Sequence, residues 1–312
     1  MTSWSTSDIP DQTGRAVLIT GANSGLGKYT ARILAERGAR VLLACRDTAR
    51  GEQARDEVAD VAPIRPELVE LDLADLKSVR RAAADVRERT GDALDVLINN
   101  AGVMFVPHRS TADGFELQTG TNHLGHAALT WLLMPALTTR PAARVVTVSS
   151  IAHRGHGLDA EDLDFKRRTY NPMRAYSQSK LANLLFAQQL QRAADAAGAD
   201  LRSIAAHPGM TSTNLTANSS KMLGLPRAVD AVVALGTRAV TQPVEQGALP
   251  QLFAATAPGA RGGDYIGPSG FREIHGAPKR ASMIPAARDE QLARRLWEVT
   301  AEKTGVDPAP QA

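Results

Sequence analysis

Apolar residues fall in short runs separated by longer stretches in which they recur every three or four positions. The short runs read as buried strands and the 3.6-residue recurrence as helix. A first strand is expected over residues 14–20, built on Ala16, Val17, Leu18 and Ile19. Leu26, Tyr29, Ile33 and Leu34 then share a helical face that Gly38 ends. A second strand is expected over 40–44, a helix over 50–61, and a third strand over 67–71 with Asp72 behind it. A charged amphipathic helix over 76–89, closed by Gly91, leads to a fourth strand over 94–98 and then Asn99-Asn100-Ala101-Gly102.

The second half continues the alternation. A long helix is expected over 115–137 and a fifth strand over 144–148, ending in Ser149-Ser150. Residues 151–175 are charged and irregular; 176–194 read as a helix and 201–205 as a sixth strand before His207-Pro208-Gly209. Residues 211–226 are polar but carry Leu215, Met222, Leu223 and Leu225. Helices over 228–240, 244–255 and 289–303 and an edge strand over 263–266 complete the pattern. Strand–helix alternation implies an α/β fold, a doubly wound parallel sheet with helices on both faces and right-handed crossovers. Ligands of such sheets gather at the carboxyl ends of the strands. No repeat or low-complexity linker interrupts the chain, so one domain over 14–305 is expected, with loose tails at 1–13 and 306–312.

Composition narrows the classes. With 43% hydrophobic and 22% charged residues the 312-residue chain is an ordinary globule. Its net charge of +3 comes from scattered Lys and Arg, which argues against nucleic acid and fits a small anionic ligand. A lone cysteine, Cys45, allows no internal disulfide and suits the reducing cytoplasm. The longest apolar stretch, 124–137, is interrupted by His126, Thr130 and Pro135, so a buried helix is expected rather than membrane insertion. Residues 1–7 lack the pattern of a signal peptide.

Thr20 to Gly27, T-G-A-N-S-G-L-G, joins the first strand to its helix. Such a turn presents backbone N–H groups to a pyrophosphate. Gly21 permits the tight bend, Gly25 clears space for the phosphates, and Gly27 lets the helix lie against the strands. Tyr176 and Lys180 are one helical turn apart, in Y-S-Q-S-K. A free phenol has a pKa of about 10, and lowering it to neutrality takes about 4 kcal/mol. Lys180 with an oxidised nicotinamide would supply that, making Tyr176 a proton carrier for a substrate oxygen; an ordinary surface i,i+4 pair is the alternative. Ser150, at a strand end, would hold that oxygen or simply make a turn. Asn122 would hold a water linked to Lys180 or make a polar contact in the core.

Arg46, past the second strand, would accommodate the 2′-phosphate of NADP, with Lys28 nearby as a second cation. Asp47 is the competing reading, since a carboxylate there would bind the ribose of NAD. Asp72 and Leu73 suit contacts to the adenine, while Asp75 reads as a helix cap. His123, His126, His153 and His156 raise the question of a metal, but no cysteine or carboxylate set accompanies them and none is expected.

Taken together these motifs resemble the short-chain dehydrogenase/reductase family over about residues 14–305. They are T-G-A-N-S-G-L-G, N-N-A-G, Asn122, V-S-S ending at Ser150, Y-S-Q-S-K and H-P-G. A-C-R-D at 44–47, N-H-L-G-H at 122–126 and Y-S-Q-S-K-L-A-N at 176–183 are similar to its retinol dehydrogenase and WW-domain oxidoreductase-like branch. The resemblance implies a Rossmann-like sheet of seven strands in the order 3-2-1-4-5-6-7. It implies a catalytic tetrad of Asn122, Ser150, Tyr176 and Lys180, with Asn99 supporting the sheet. The implied cofactor site comprises Gly21, Asn23, Ser24, Gly25, Leu26, Gly27, Arg46, Asp72, Leu73, Asn100, Ala101, Gly102, Tyr176, Lys180, Pro208, Gly209 and Thr211. The segment 211–226 would cover the site. NADP(H) is the expected cofactor, with NAD(H) as the other possibility, and the substrate a small alcohol or carbonyl compound, lipophilic in view of Met104, Phe105 and Leu215. A homodimer is a further expectation, and the Ala- and Arg-rich make-up is similar to that of bacterial chains. Two other functions share these motifs: a catalytically silent NADP(H)-sensing regulator, and epimerisation or dehydration of a nucleotide sugar, for which the chain after Gly209 is short.

Overall fold

The computed structural model describes residues 3–211 and 241–308. Eight strands form one sheet in the order β3-β2-β1-β4-β5-β6-β7-β8. They are β1 (Ala16–Thr20), β2 (Arg40–Cys45), β3 (Glu67–Glu70), β4 (Val96–Asn99), β5 (Ala143–Val148), β6 (Leu201–Ala206), β7 (Tyr265–Pro268) and β8 (Pro278–Arg280). Strands β1 to β7 pair in parallel, and β8 runs antiparallel to β7 through Ile266↔Arg280 and Pro268↔Pro278. The eighth strand is an addition to the seven expected.

Every residue of β1, β4, β5 and β7 is buried, as for a sheet covered on both faces. Successive side chains point to opposite faces. Leu18, Leu42 and Leu97 therefore pack with α3 (Leu76–Thr90) and α4 (Gly125–Thr138). Ile19, Leu43 and Ile98 pack on the other side with α1 (Gly25–Glu36), α2 (Thr48–Ala59) and α6 (Val244–Thr256). Helix α5 (Pro172–Ala197) and α7 (Glu290–Thr304) close a third cluster around Leu184 and Leu296.

Three expectations change. The helix expected over 115–137 is interrupted: Leu117–Thr119 opens as α, Gly120–Leu124 widens into a π-turn, and α4 then resumes. Helix α5 begins four residues before Tyr176, because Asn171 accepts hydrogen bonds from the Met173 and Arg174 N–H groups and Pro172 suits the first turn. The amino-terminal residues are packed rather than loose: Ile9 and Gln12 are buried and Trp4 stands edge-on to Phe253 at 5.2 Å. At the other end Val306 is likewise buried. The helix expected over 228–240, and the covering segment beyond Thr211, lie outside the described residues.

Candidate active site

The glycine turn and the loop after β4 interlock. The Thr20 hydroxyl accepts hydrogen bonds from the Asn100 and Ala101 N–H groups at 2.9 and 3.0 Å. Asn100 Nδ2 donates to the Thr20 carbonyl at 2.7 Å. Gly21 and Gly25 hold φ of +65° and +52°, where a Cβ is penalised. A Cβ on Gly27 would lie 2.5 Å from the Gly21 oxygen and 2.6 Å from Asn100 Nδ2. Ser24 occupies the N-cap position of α1 but makes no side-chain cap, whereas Asp47, Asp75, Asn171 and Asp289 cap their helices. The first N–H groups of α1 thus have no acceptor in their own helix and face the open end of the turn, with Asn23, Ser24, Gly25 and Leu26 partly exposed. This cradle fits an anionic phosphate group.

At the next strand ends the geometry differs by residue. Arg46 is exposed and has no ion-pair partner among the described residues. The Asp47 carboxylate is turned away, accepting from the Arg50 N–H at 3.0 Å as the cap of α2. Lys28, expected as a second cation, is paired with Glu57 at 2.6 Å across α1 and α2. Asp72 accepts from the Ala74 N–H at 2.9 Å, and Leu73 is buried with its carbonyl against Gly125, where a Cβ would come within 2.3 Å.

The four expected catalytic positions meet at the carboxyl ends of β4 and β5. Asn122 lies in the π-turn, fully buried. Its amide clasps the Val103 backbone, accepting the Val103 N–H at 2.8 Å and donating to the Val103 oxygen at 2.9 Å. It also donates to Ser179 Oγ at 3.0 Å. Its own carbonyl accepts from His126 Nδ1 at 3.0 Å, which leaves Nε2 as an acceptor for the Thr20 hydroxyl at 2.8 Å. Burial pushes His126 down to about 4, consistent with this neutral tautomer.

Tyr176 and Lys180 are both buried on α5. Lys180 Nζ stands 5.7 Å from the centre of the Tyr176 ring and donates to the Val148 oxygen at 3.1 Å. Gly102 lies alongside, where a Cβ would stand a tight 3.1 Å from Asn122 Oδ1 and at ordinary contact distance, 3.6 Å, from Nζ. The expected depression of the Tyr176 pKa is not what this ligand-free site displays. Burial pushes the phenol up to about 12, and the bond with the Ser150 hydroxyl opposes only part of that rise. Burial likewise pushes the Lys180 ammonium down to about 8. Ser149 points to the opposite side of β5 from Ser150 and donates to the Lys180 carbonyl at 2.7 Å. Pro208 and Gly209 follow β6, and Thr211 donates to the Pro208 oxygen at 2.9 Å.

Arg154 and Glu273 were not singled out by pattern, and the contacts that Phe105 and His153 make here were not foreseen. Phe105, with φ of +53°, sets its ring edge-on to Tyr176 at 5.3 Å. His153 donates from Nδ1 to the Ser150 oxygen at 2.7 Å, and Glu273 and Arg154 pair behind it. Contacts across 100 residues leave no periodicity to read; only the positions of Ser150 and His207 point toward them.

Residues 15–224 match the family of short chain dehydrogenases. Human retinol dehydrogenase 12 is 40% identical over 296 residues, covering 94% of this chain and 87% of that protein. Mouse polyprenol dehydrogenase is 40% identical over 302 residues, covering 95% and 86%. The crystal structure of a Mycobacterium paratuberculosis protein, 44% identical, covers 98% of this chain and 99% of its own with a TM-score of 0.81.

Proposed function

The chain belongs to the short-chain dehydrogenase/reductase family, NAD(P)-dependent oxidoreductases acting on CH–OH groups, and from that premise we propose an NADP(H)-dependent enzyme that interconverts a lipophilic alcohol with its aldehyde or ketone. The observation that carries the proposal is the burial of Tyr176 with the Lys180 ammonium 5.7 Å from its ring, at the sheet edge that also carries the glycine cradle, where a Cβ on Gly27 would clash with backbone. The cradle of Gly21, Asn23, Ser24, Gly25, Leu26 and Gly27 would hold the pyrophosphate, and Asn100, Ala101, Gly102, Pro208, Gly209 and Thr211 the remainder. Arg46 supports the NADP choice because it is exposed and uncommitted while Asp47 is spent on its helix. Asp72 and Leu73 would border the adenine.

When bound, the nicotinamide supplies or accepts the hydride. Tyr176 donates its proton to the substrate oxygen in reduction and takes it back in oxidation. A phenol pushed up to about 12 is protonated at neutral pH and ready as the acid. Ser150 holds the substrate oxygen beside that phenol. Lys180 places a positive charge over the ring and stabilises the phenolate left behind. Asn122 fixes the Val103 backbone and, through Ser179, the base of α5. The lipophilic substrate is supported by Phe105, whose ring stands edge-on to Tyr176 at 5.3 Å, and by relatives named for retinol and polyprenol.

A panel of aliphatic, aromatic and isoprenoid alcohols and carbonyls tests the reading through the absorbance of the reduced nicotinamide. Turnover with NADP(H), rising with the chain length of the substrate, is expected. No turnover in either direction by folded protein that binds the dinucleotide would favour the sensing role instead.

A further inference from the structure

Glu273 is a buried carboxylate that the proposed chemistry does not use. It sits in an unusual backbone: Arg272 and Glu273 have φ of +49° and +61°, adjacent left-handed residues without a glycine. Such conformations are strained and persist where surrounding contacts over-determine them. The contacts here come from three separate segments. The Ser282 N–H and hydroxyl donate to Glu273 Oε1 at 2.9 and 3.0 Å. The Arg154 guanidinium, four residues after Ser150, donates to Oε2. His207 Nε2 faces Oε2 at 3.3 Å, off the straight line of an ideal hydrogen bond.

That last contact decides a tautomer. His207 Nδ1 accepts the Gly209 N–H at 3.2 Å, so Nδ1 carries the lone pair and Nε2 the proton. A carboxylate facing Nε2 favours that form, as carboxylates orient imidazoles elsewhere. The ring has been given space for this role: a Cβ on Gly267 of β7 would lie 1.9 Å from Nε2. The turn is held from its other side as well. The Met210 N–H donates to the Ile274 oxygen at 3.0 Å, and a Cβ on Gly209 would stand 2.2 Å from that oxygen.

We infer that Glu273 is a positioning residue: through the Nε2–H tautomer of His207 it sets the Gly209 amide and the H-P-G turn, and through Arg154 it ties that turn to the loop carrying Ser150. The consequence for dinucleotide affinity rests on the function proposed above; the consequence for the turn itself does not. Asparagine can place its Oδ1 where His207 has Nδ1, and leucine cannot accept a hydrogen bond.

The test compares the full chain with Glu273→Gln, His207→Leu and His207→Asn, by deuterium exchange of the peptide covering 207–211 and by titration with NADPH. Glu273→Gln and His207→Leu should exchange about tenfold faster there and bind NADPH about tenfold more weakly, while His207→Asn stays close to wild type. Wild-type exchange in Glu273→Gln, or equal damage in His207→Asn and His207→Leu, would overturn the inference. Should Glu273→Gln fail to fold, the ¹⁵N NMR signals of His207 in the wild type decide it: a protonated Nε2 is expected, and a protonated Nδ1 would overturn the inference. Wild-type protein that binds no NADPH would refute the proposed function, and the exchange measurement would still decide the clasp.

Discussion

Arg46 and Asp47 are neighbours with opposite charges, and their side chains have gone different ways. Asp47 is fixed by the Arg50 N–H, and Arg46 is left exposed beside the turn that fits phosphate. Arg46→Ala should therefore weaken NADPH by about tenfold or more and leave NADH nearly unchanged, measured as two dissociation constants on each protein. Equal losses for both nucleotides, or a wild type that prefers NADH, would remove Arg46 from the role. The competition between these two residues was visible in the sequence; its outcome was not, because a cap is decided by where a helix starts. Lys28 shows the same limit: its partner, Glu57, is 29 residues away on another helix. Tyr176 shows it in electrostatics. The motif announces the ammonium one turn away, but burial, which pushes the phenol up here, belongs to the assembled core.

At the scale of elements, the glycine turn was the most legible part, since strand, glycines and helix follow directly in the chain. Its tolerance is measurable. Gly27→Ala would set a methyl group 2.5 Å from the Gly21 oxygen, a backbone atom that has little freedom to move. Loss of NADPH binding by at least about tenfold, with a lower thermal midpoint, is expected from the overpacking; wild-type affinity in a folded variant would contradict the interlock. The π-turn at Gly120–Leu124 was hidden for a physical reason. One added residue shifts the register of a helix that is apolar on every side, so its hydrophobic pattern barely changes. Strand β8 was hidden because Pro278, Lys279 and Arg280 read as loop, although proline and lysine are what an edge strand tolerates.

Over the whole molecule, the alternation of strands and helices conveyed the architecture, and the buried polar groups escaped it. His123, His126 and His153 are buried, and burial pushes them down to about 3, 4 and 4. In the unfolded chain each takes up a proton near pH 6.5. Between about pH 6.5 and 4 the unfolded state therefore binds more protons, and stability falls as the pH falls through that window. Glu116, whose carboxyl burial pushes up, works in the opposite direction but is a single group against three. The urea midpoint is expected to drop between pH 7 and 5, and a midpoint that holds or rises would contradict the buried, neutral histidines. Arg144 is another group no pattern foretold: its guanidinium, nearly enclosed, donates to the Ala254 and Ala257 oxygens at the end of α6. Sheet and helix are tied there by a charge meeting a helix carboxyl end.

The Tyr176 phenol is the proton carrier on which the proposed activity turns, and removing its one oxygen atom tests that role most directly. Tyr176→Phe should lower kcat by about 10²–10⁴-fold, the span of general acid catalysis, and bind NADPH within about twofold of wild type. Turnover at the wild-type rate with unaltered NADPH affinity would contradict it.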